Sequence, residues 1–279
     1  MQYRLLAMDL DGTLTDSRKK ISEHTRDCLE RAARRGVTLA LASGRPLIGI
    51  QKVAEALDLE RLGGYIMAFN GGQIIDCATG REIYRKDFPL EYMGEAVEWA
   101  RREHLAILSY DNEGIVTEGP VDQYVLHESG NNGIPIKQVS SLTEYMRFPF
   151  VKMLICGEPS HLLELKDRMA AAFAGRLDIY LAEPVFLEVM PLGIDKAAGL
   201  ERLMRHLSLD ARQVIACGDA YNDIPMMRLA YASVAVSNAV QEVREISRFI
   251  TRSNDEDGVA YAVERLVLSD MPHPERGVL

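Results

Sequence analysis

The chain has 279 residues, 47% of them apolar, which is enough to bury the core of one large α/β domain or of two medium ones. Its 41 acidic residues outnumber 32 basic ones, and the formal charge of −9 argues against a nucleic-acid surface or a polybasic membrane patch. We therefore expect no nucleic-acid partner and no membrane association, and an anionic substrate would need local positive charge.

The cysteines and histidines form no metal-binding signature in the sequence. The four cysteines are scattered without a C-x-x-C pair, as is typical of reduced structural thiols (Cys28, Cys77, Cys156 and Cys217). The six histidines match no zinc pattern, and we expect them on surfaces or helices. The chain starts in a short strand pattern without a signal peptide, and no apolar run approaches the roughly 20 residues of a spanning helix. These features predict a cytoplasmic protein.

Short apolar runs alternate with helical patterns over the first 80 residues. Strands are predicted at 4–9, 37–42 and 65–69, with helices between them. Ser22 is a suitable N-cap for a helix over 22–35, and Gly36 follows its predicted end. Pro46 suits the first turn of the second helix. The pattern predicts a βαβαβ unit.

The same alternation returns after residue 193. It predicts a helix from Asp195, strands at 214–217, 233–236 and 249–251, a helix near Ile224 and a last helix over 258–268. Such alternation is typical of an α/β fold, a Rossmann-like, doubly wound and mostly parallel sheet with helices on both faces. Ligands in that architecture bind beyond the carboxyl ends of the strands.

Residues 83–190 follow a different pattern and predict an inserted, smaller α/β cap domain. Helices are expected over 91–103 and 162–173, and strands over 106–110, 115–118, 151–155, 178–181 and 185–189, with loops at 119–120, 130–133 and 158–159. The catalytic core would then comprise 1–82 and 191–270, and a disordered tail 271–279 would follow.

Four polar stretches adjoin the predicted core elements: DLDGT (Asp9 to Thr13), SGRP (Ser43 to Pro46), GIDK (Gly193 to Lys196) and GDAYND (Gly218 to Asp223). If they meet at one sheet edge, Lys196, Arg45 and Ser43 lie near four carboxylates. These carboxylates are those of Asp9, Asp11, Asp219 and Asp223. Crowded carboxylates repel one another unless a cation is bound or their pKa values are shifted. A hard divalent ion that takes oxygen ligands would relieve the repulsion, so the group predicts Mg²⁺.

The chemistry of these residues suits phosphoryl transfer. Asp9 can attack phosphorus and form an acyl phosphate. Asp11 can protonate the leaving alcohol and then deprotonate the hydrolytic water. Ser43 and the amide of Gly44 can bind phosphoryl oxygens, and Lys196 can neutralise the remaining charge. Each stretch alone is more often a turn, a helix cap or a surface residue than a catalytic motif, so the prediction depends on their conjunction.

The four stretches resemble, in order, the motifs of the haloacid dehalogenase (HAD) superfamily. The insert, with AFNGG (Ala68 to Gly72) before it and EVMPLGIDKAAGL (Glu188 to Leu200) across its end, resembles the Cof-type branch of subfamily IIB, whose cap is of the C2B type. The resemblance implies a Mg²⁺-dependent phosphatase of small phosphorylated metabolites, often sugar phosphates.

The resemblance also implies roles for individual residues. Asp9 would be the nucleophile and a Mg²⁺ ligand, Asp11 the acid/base and a ligand through its carbonyl, and Asp219 the third ligand. Asp223 would orient Lys196 or a metal-bound water. The phosphoryl group would be held by Lys196, Asn222, Ser43 and the amides of Leu10 and Gly44, with Thr13, Arg45 and Asn70 in support. Ala220 departs from the Gly, Ser or polar residue of many relatives, so the hydrogen bonding of its loop is expected to differ.

Other functions remain open at this point. A phosphomutase would share the aspartyl-phosphate step but return the phosphoryl group to its substrate. In a signalling receiver, phosphorylation of the aspartate would switch a partner surface. A third alternative is a binding protein that has lost catalysis. Glu183 and Glu188 are candidate substrate contacts in the cap, with surface or packing roles as the alternative. The sequence predicts neither the physiological substrate nor the oligomeric state.

Overall fold

The computed structural model describes residues 3–269 and 277–279 of the chain. They form two compact units. The first comprises Met1–Gly44, Ile50–Tyr84 and Asp195–Leu279, and the second Arg45–Gly49 and Arg85–Ile194. Within the described ranges, no helix is both long and apolar enough to cross a membrane.

Strands and helices alternate along most of the chain. The strands are β1 (Leu5–Met8), β2 (Thr38–Ala42), β3 (Tyr65–Ala68), β4 (Gln73–Asp76), β5 (Glu82–Arg85), β6 (Ala106–Tyr110), β7 (Ile115–Glu118), β8 (Ile136–Gln138), β9 (Met153–Cys156), β10 (Leu177–Glu183), β11 (Phe186–Pro191), β12 (Val214–Gly218), β13 (Ala232–Ala235), β14 (Phe249–Ile250) and β15 (Gly277–Val278). The α-helices are α1 (Glu23–Arg34), α2 (Leu47–Ala56), α3 (Leu59–Leu62), α4 (Met93–Arg102), α5 (Gln123–Asn132), α6 (Leu142–Tyr145), α7 (Pro159–Ala172), α8 (Lys196–His206), α9 (Ile224–Leu229), α10 (Gln241–Ile246) and α11 (Gly258–Val263).

The sheet of the first unit has the strand order β15-β14-β13-β12-β1-β2-β3-β4-β5. β1 pairs in parallel with both β12 and β2. The chain builds outward from β1 to β3 on one side, and after the insertion it returns to β12 and builds outward on the other side. The strand order therefore reverses between β1 and β12, which is the topological switch point where ligands bind in such sheets. The predicted α/β fold with a mostly parallel sheet is confirmed.

Both faces of β1 are buried, as the apolar run Leu5–Met8 predicts. Leu5 and Ala7 pack with Leu200 of α8 and Met226 of α9. Leu6 and Met8 alternate with them along the strand and are also completely buried.

The N-terminus of α1 follows the prediction closely. The Oγ of Ser22 accepts a hydrogen bond from the amide of Thr25 at 3.0 Å, so Ser22 is the N-cap of α1. Gly36 follows the helix with φ +85°, a conformation that glycine adopts at little cost.

The sheet of the second unit has the strand order β10-β11-β9-β6-β7-β8 and is antiparallel except at the β7–β8 pair. One face forms a core with α4 and α7, which includes Val97, Ile107, Met153 and Leu165. Sequence patterns missed α5, β8 and α6 in this unit, and they also missed α3, α10, β4 and β5 elsewhere.

Two predicted loops of the insert are wrong because each belongs to a helix. Gly130 lies inside α5, whose N-cap Asp122 accepts hydrogen bonds from two backbone amides, and Gly133 ends that helix with φ +63°. Pro159 is the first residue of α7, and Glu158 is its N-cap. The polar first turn of α7 precedes its apolar positions, and α5 shows little apolar periodicity, so glycine and proline in these segments indicate loops by sequence alone.

The predicted tail at 271–279 falls largely outside the described residues, which omit 270–276. At its end, Gly277–Val278 forms β15 and pairs in parallel with β14. These two residues are therefore ordered in a strand.

Candidate active site

Three carboxylates meet where β1 and β12 end. Asp9 follows β1, and Asp219 and Asp223 follow β12; one oxygen from each lies within 4.8 Å of the others. Asp9 is 7% exposed and Asp223 is completely buried. The sequence predicted that these three residues would lie at one edge of the sheet, and the strand topology brings them together there.

Lys196 lies among these carboxylates. Its ammonium donates hydrogen bonds to Asp9 Oδ1 at 2.5 Å and to Asp223 Oδ1 at 2.6 Å. The residue is completely buried although it is the first residue of α8, where the helix dipole disfavours a cation. Two buried ion pairs offset this cost, so Lys196 is not the surface lysine that its position alone would suggest.

Asp223 also organises the loop after β12. Its Oδ2 accepts hydrogen bonds from the amides of Asp219 and Ala220, both at 3.0 Å. A Cβ at Gly218 would lie 2.5 Å from the Cβ of Asp223, so this close return of the loop requires glycine. Ala220 contributes its backbone amide to this loop, and its methyl side chain can form no hydrogen bond.

The loop after β1 brings Asp11 and Thr13 to the same area. Gly12 has φ +80°, and a Cβ there would lie 2.6 Å from Asp219 Oδ2. Thr13 Oγ1 donates to Asp219 Oδ1 at 2.7 Å. The two carboxylate loops are therefore in direct contact.

Asp11 is about one-third exposed and forms an ion pair with Lys19 at 2.5 Å. Lys19 lies eight residues further along the chain and has φ +59°. No sequence pattern identifies Lys19, because a turn lysine in a polar run gives no signal of such a contact.

Burial and mutual charge interactions shift the pKa values of Asp9, Asp219 and Lys196. Burial is the main cause for the two carboxylates. It raises the pKa of Asp9 well above its ordinary value, with Lys196 opposing the rise and Asp223 and Asp219 adding to it. Burial also raises the pKa of Asp219, and the hydrogen bond from Thr13 opposes that rise. Burial would lower the pKa of Lys196, but Asp223 and Asp9 more than offset it and the pKa is raised.

The donor set fits a hard divalent cation. The acidic group offers carboxylate oxygens within 4.8 Å of one another. Burial, together with the neighbouring carboxylates, raises the pKa of Asp9 and of Asp219, which marks a shortage of positive charge around these two groups. A cation bound by Asp9 and Asp219 would remove that shortage, because a nearby positive charge favours the ionised form of a carboxylate.

Part of the set predicted to bind phosphate lies together near the ends of β2 and β3, namely Ser43, Gly44 and Asn222, with Asn70 between them. Ser43 follows β2 and is 3% exposed, and its carbonyl accepts a hydrogen bond from the amide of Asn70 at 2.9 Å. Asn70 Oδ1 accepts a hydrogen bond from Asn222 at 3.3 Å and lies 3.2 Å from where a Cβ on Gly44 would be. Asn70 has φ +54°. Leu10, which supplies the predicted amide beside Asp9, is buried.

The remaining candidates belong to the second unit. Arg45 lies in its segment Arg45–Gly49. Glu188 is buried and accepts hydrogen bonds from Lys152 at 2.5 Å and from Tyr180 at 2.8 Å. Glu183 is exposed and lies 3.4 Å from His127. Glu188 therefore takes part in an internal ion pair, which the sequence did not predict.

The chain is similar to known proteins over most of its length. The family model of haloacid dehalogenase-like hydrolases matches residues 6–263. A candidate phosphatase of Streptococcus pyogenes serotype M6 is 31% identical over 96% of this chain and 100% of its own length. An HMP-PP phosphatase of Serratia proteamaculans is 29% identical over 88% of this chain and 87% of its own.

Solved structures agree in fold. A haloacid dehalogenase-like hydrolase from Bacteroides thetaiotaomicron is 40% identical, with a TM-score of 0.91 over 95% of this chain and 99% of its own. A sugar phosphatase of HAD subclass IIB shares the fold at 23% identity, with a TM-score of 0.81 over 94% of this chain and 98% of its own. Since the family model spans most of the chain, the resemblance found in the four motifs is confirmed, and the chain belongs to the haloacid dehalogenase-like hydrolase family.

Proposed function

We propose that this hydrolase is a magnesium-dependent phosphatase of small phosphorylated metabolites, with sugar phosphates as the main class. The observation that carries the proposal is the buried contact of Lys196 with Asp9 and Asp223 at the switch point of the sheet. Two relatives bearing phosphatase names support the reaction type. The fold shared with a sugar phosphatase supports the substrate class.

The magnesium ion would be held by the carboxylates of Asp9 and Asp219 and the backbone carbonyl of Asp11. When bound, it would neutralise charge on the phosphoryl oxygens. Lys196, Ser43, Asn222 and the amides of Leu10 and Gly44 would hold the remaining phosphoryl oxygens, and Thr13 would fix Asp219 by its hydrogen bond.

In the proposed first step, a carboxylate oxygen of Asp9 bonds to phosphorus, and the bond between phosphorus and the ester oxygen breaks. Asp11 gives its proton to the departing alcohol. In the second step, Asp11 takes a proton from water as the water oxygen bonds to phosphorus. The bond from phosphorus to Asp9 then breaks and releases phosphate.

We further propose that the second unit, Arg45–Gly49 and Arg85–Ile194, is the cap that selects the substrate, with Arg45 and Asn70 supporting recognition. The HMP-PP phosphatase and sugar phosphatase names show that related proteins differ in substrate, in keeping with a selective element outside the motifs. The cytoplasm is the proposed compartment, since the cysteines are free thiols.

Release of inorganic phosphate from p-nitrophenyl phosphate tests the reaction, with and without EDTA. The wild-type protein should turn over only with Mg²⁺, and Asp9→Asn should lose all detectable turnover. Asp167→Asn, an exposed Asp of α7, is the matched control and should keep full activity. Metal-independent turnover, or activity in Asp9→Asn, would contradict the proposal.

A panel of phosphorylated sugars, nucleotides and cofactors tests the substrate class. Sugar phosphates should give the highest kcat/KM. Product analysis on the same panel separates a phosphatase from a phosphomutase, because a mutase returns an isomerised sugar phosphate without net release of phosphate.

A further inference from the structure

A second group of potential metal ligands lies in the first unit, on elements that contribute none of the proposed catalytic residues. His24 and Cys28 are one turn apart on α1, and Glu264 begins a π-helical turn, Glu264–Leu268, that continues α11. One atom from each residue lies within 4.8 Å of the others. Sequence spacing did not reveal the group, because Glu264 lies 236 residues beyond Cys28.

The distances between the three ligand atoms are close to those of a tetrahedral metal site. Cys28 Sγ lies 3.9 Å from His24 Nε2 and 3.6 Å from Glu264 Oε1, and His24 Nε2 lies 3.6 Å from Glu264 Oε1. Zinc bonds are about 2.3 Å to sulfur and about 2.0–2.2 Å to nitrogen and oxygen, so neighbouring ligands in a tetrahedron are roughly 3.3–3.6 Å apart. The three ligand atoms therefore need to move by only a few tenths of an ångström.

The surroundings hold these residues in place and leave one side open. Arg35 at the end of α1 donates a hydrogen bond to the carbonyl of Val267 at 3.0 Å, which fastens the π-helical turn to α1. Cys28 is 1% exposed, whereas the side chains of His24 and Glu264 are 52% and 36% exposed. A cation could enter from the solvent side and keep a water molecule as its fourth ligand.

We propose that His24 Nε2, Cys28 Sγ and Glu264 Oε1 form a zinc-binding site. Binding would break the S–H bond of Cys28, release its proton to solvent and form a sulfur–zinc bond. The thiolate and the carboxylate would then balance the two positive charges of the ion. Sulfur and imidazole ligands favour zinc over magnesium, so the site would not compete for the proposed catalytic ion.

Burial, followed by the nearby Glu264 charge, raises the pKa of the Cys28 thiol to about 11. Without metal the group is therefore a neutral thiol and a poor nucleophile, which argues against a role in covalent catalysis. Zinc would connect α1 to the π-helical turn after α11, near opposite ends of the described chain. The zinc-bound protein would therefore resist unfolding, because the ligands come together only in the folded protein.

Cobalt absorption tests this site directly. Chelator-treated full-length protein is titrated with Co²⁺ in excess Mg²⁺, which occupies the proposed catalytic site. A sulfur-to-cobalt charge-transfer band should appear with one equivalent of Co²⁺, and Zn²⁺ should abolish it. Zn²⁺ should also raise the Tm of the wild-type protein by a few degrees.

Variants at the ligands separate this site from other thiols and carboxylates. Cys28→Ala should lose the band, and His24→Gln and Glu264→Gln, at partly exposed positions that tolerate the change, should weaken Zn²⁺ binding by at least about 10-fold. Cys77→Ala is the matched thiol control and should bind like the wild-type protein.

The proposal is overturned if the wild-type protein shows no such band, if the band persists in Cys28→Ala, or if both His24→Gln and Glu264→Gln bind zinc normally. Because phosphate release is not measured, these outcomes are independent of the proposed phosphatase activity.

Discussion

Lys196 and Asp223 form a completely buried ion pair, with 2.6 Å between the ammonium nitrogen and the carboxylate oxygen. They lie 27 residues apart, at the start of α8 and in the loop after β12. The same ammonium contacts Asp9, so one cation is shared between the proposed nucleophile and the residue that organises the neighbouring loop.

Lys196→Met should therefore destabilise the fold as well as abolish activity. Removing the cation leaves Asp9 and Asp223 buried together, and breaking a buried pair in this way costs about 3–5 kcal/mol. Urea unfolding in Mg²⁺-free buffer should show that loss. A variant with wild-type stability would mean that Lys196 does not compensate these carboxylates.

Asp11→Asn should separate chemistry from binding. Asn keeps the size and the backbone carbonyl of Asp11 but cannot exchange the proton, so kcat should fall at least about 100-fold with KM nearly unchanged. Steady-state kinetics on p-nitrophenyl phosphate measure both constants. Near-normal turnover would exclude Asp11 as the acid/base.

Gly12→Ala tests the contact between the two carboxylate loops. Alanine at φ +80° costs about 1–2 kcal/mol, and its Cβ would also push against Asp219 Oδ2. The Mg²⁺ concentration for half-maximal activity should rise.

Gly36→Ala is the matched control for this substitution, because Gly36 has φ +85° and nothing within 4 Å of its Cβ position. It should cost similar stability and leave the Mg²⁺ dependence unchanged. Equal Mg²⁺ dependence in the two variants would mean that the Gly12 contact does not position Asp219.

In the second unit, Lys152→Met should lower the free energy of unfolding by about 3–5 kcal/mol, because it leaves the buried carboxylate of Glu188 without its cation. Lys166→Met removes an ion pair with Asp167, whose side chain is 77% exposed, so solvent screens that pair and its loss should have a far smaller effect. Denaturant unfolding of both variants makes the comparison. A similar loss in both would show that the Lys152–Glu188 pair contributes no more than a surface pair.

Glu128 should make stability depend on pH. Burial is the main cause that raises its pKa above the ordinary value of 4.5, although Lys152 and the hydrogen bond from Tyr110 oppose the rise. The folded state then binds the proton more tightly than the unfolded state, so stability falls as the pH rises from about 4.5 to the raised pKa.

Glu128→Gln should flatten this fall in stability, because glutamine does not titrate. The side-chain oxygen of glutamine can still accept the hydrogen bonds from Tyr110 and Asn132, so the packing of the site is kept. Unfolding measured across the acidic to neutral range tests the difference between the two proteins. An unchanged pH dependence would show that Glu128 does not contribute to it.

Local sequence patterns predicted most of the strands, helix caps and element junctions of the first unit. The strand before Asp9, the N-cap at Ser22 and the junction at Lys196 follow from apolar runs, caps and glycines, which act over a few residues. Contacts between individual side chains could not be predicted in the same way. The Asn70–Asn222 and Lys152–Glu188 pairs depend on how distant elements meet in space, and the Lys19–Asp11 pair depends on how one loop folds back on itself, so no local pattern encodes them.

The position of β1 between β2 and β12 has a consequence for synthesis on the ribosome. β2 emerges soon after β1 and can pair with one of its edges, but the opposite edge must wait until residue 214 has been translated. During that interval, β1 presents unsatisfied amides and carbonyls to other nascent chains, a known route to aggregation.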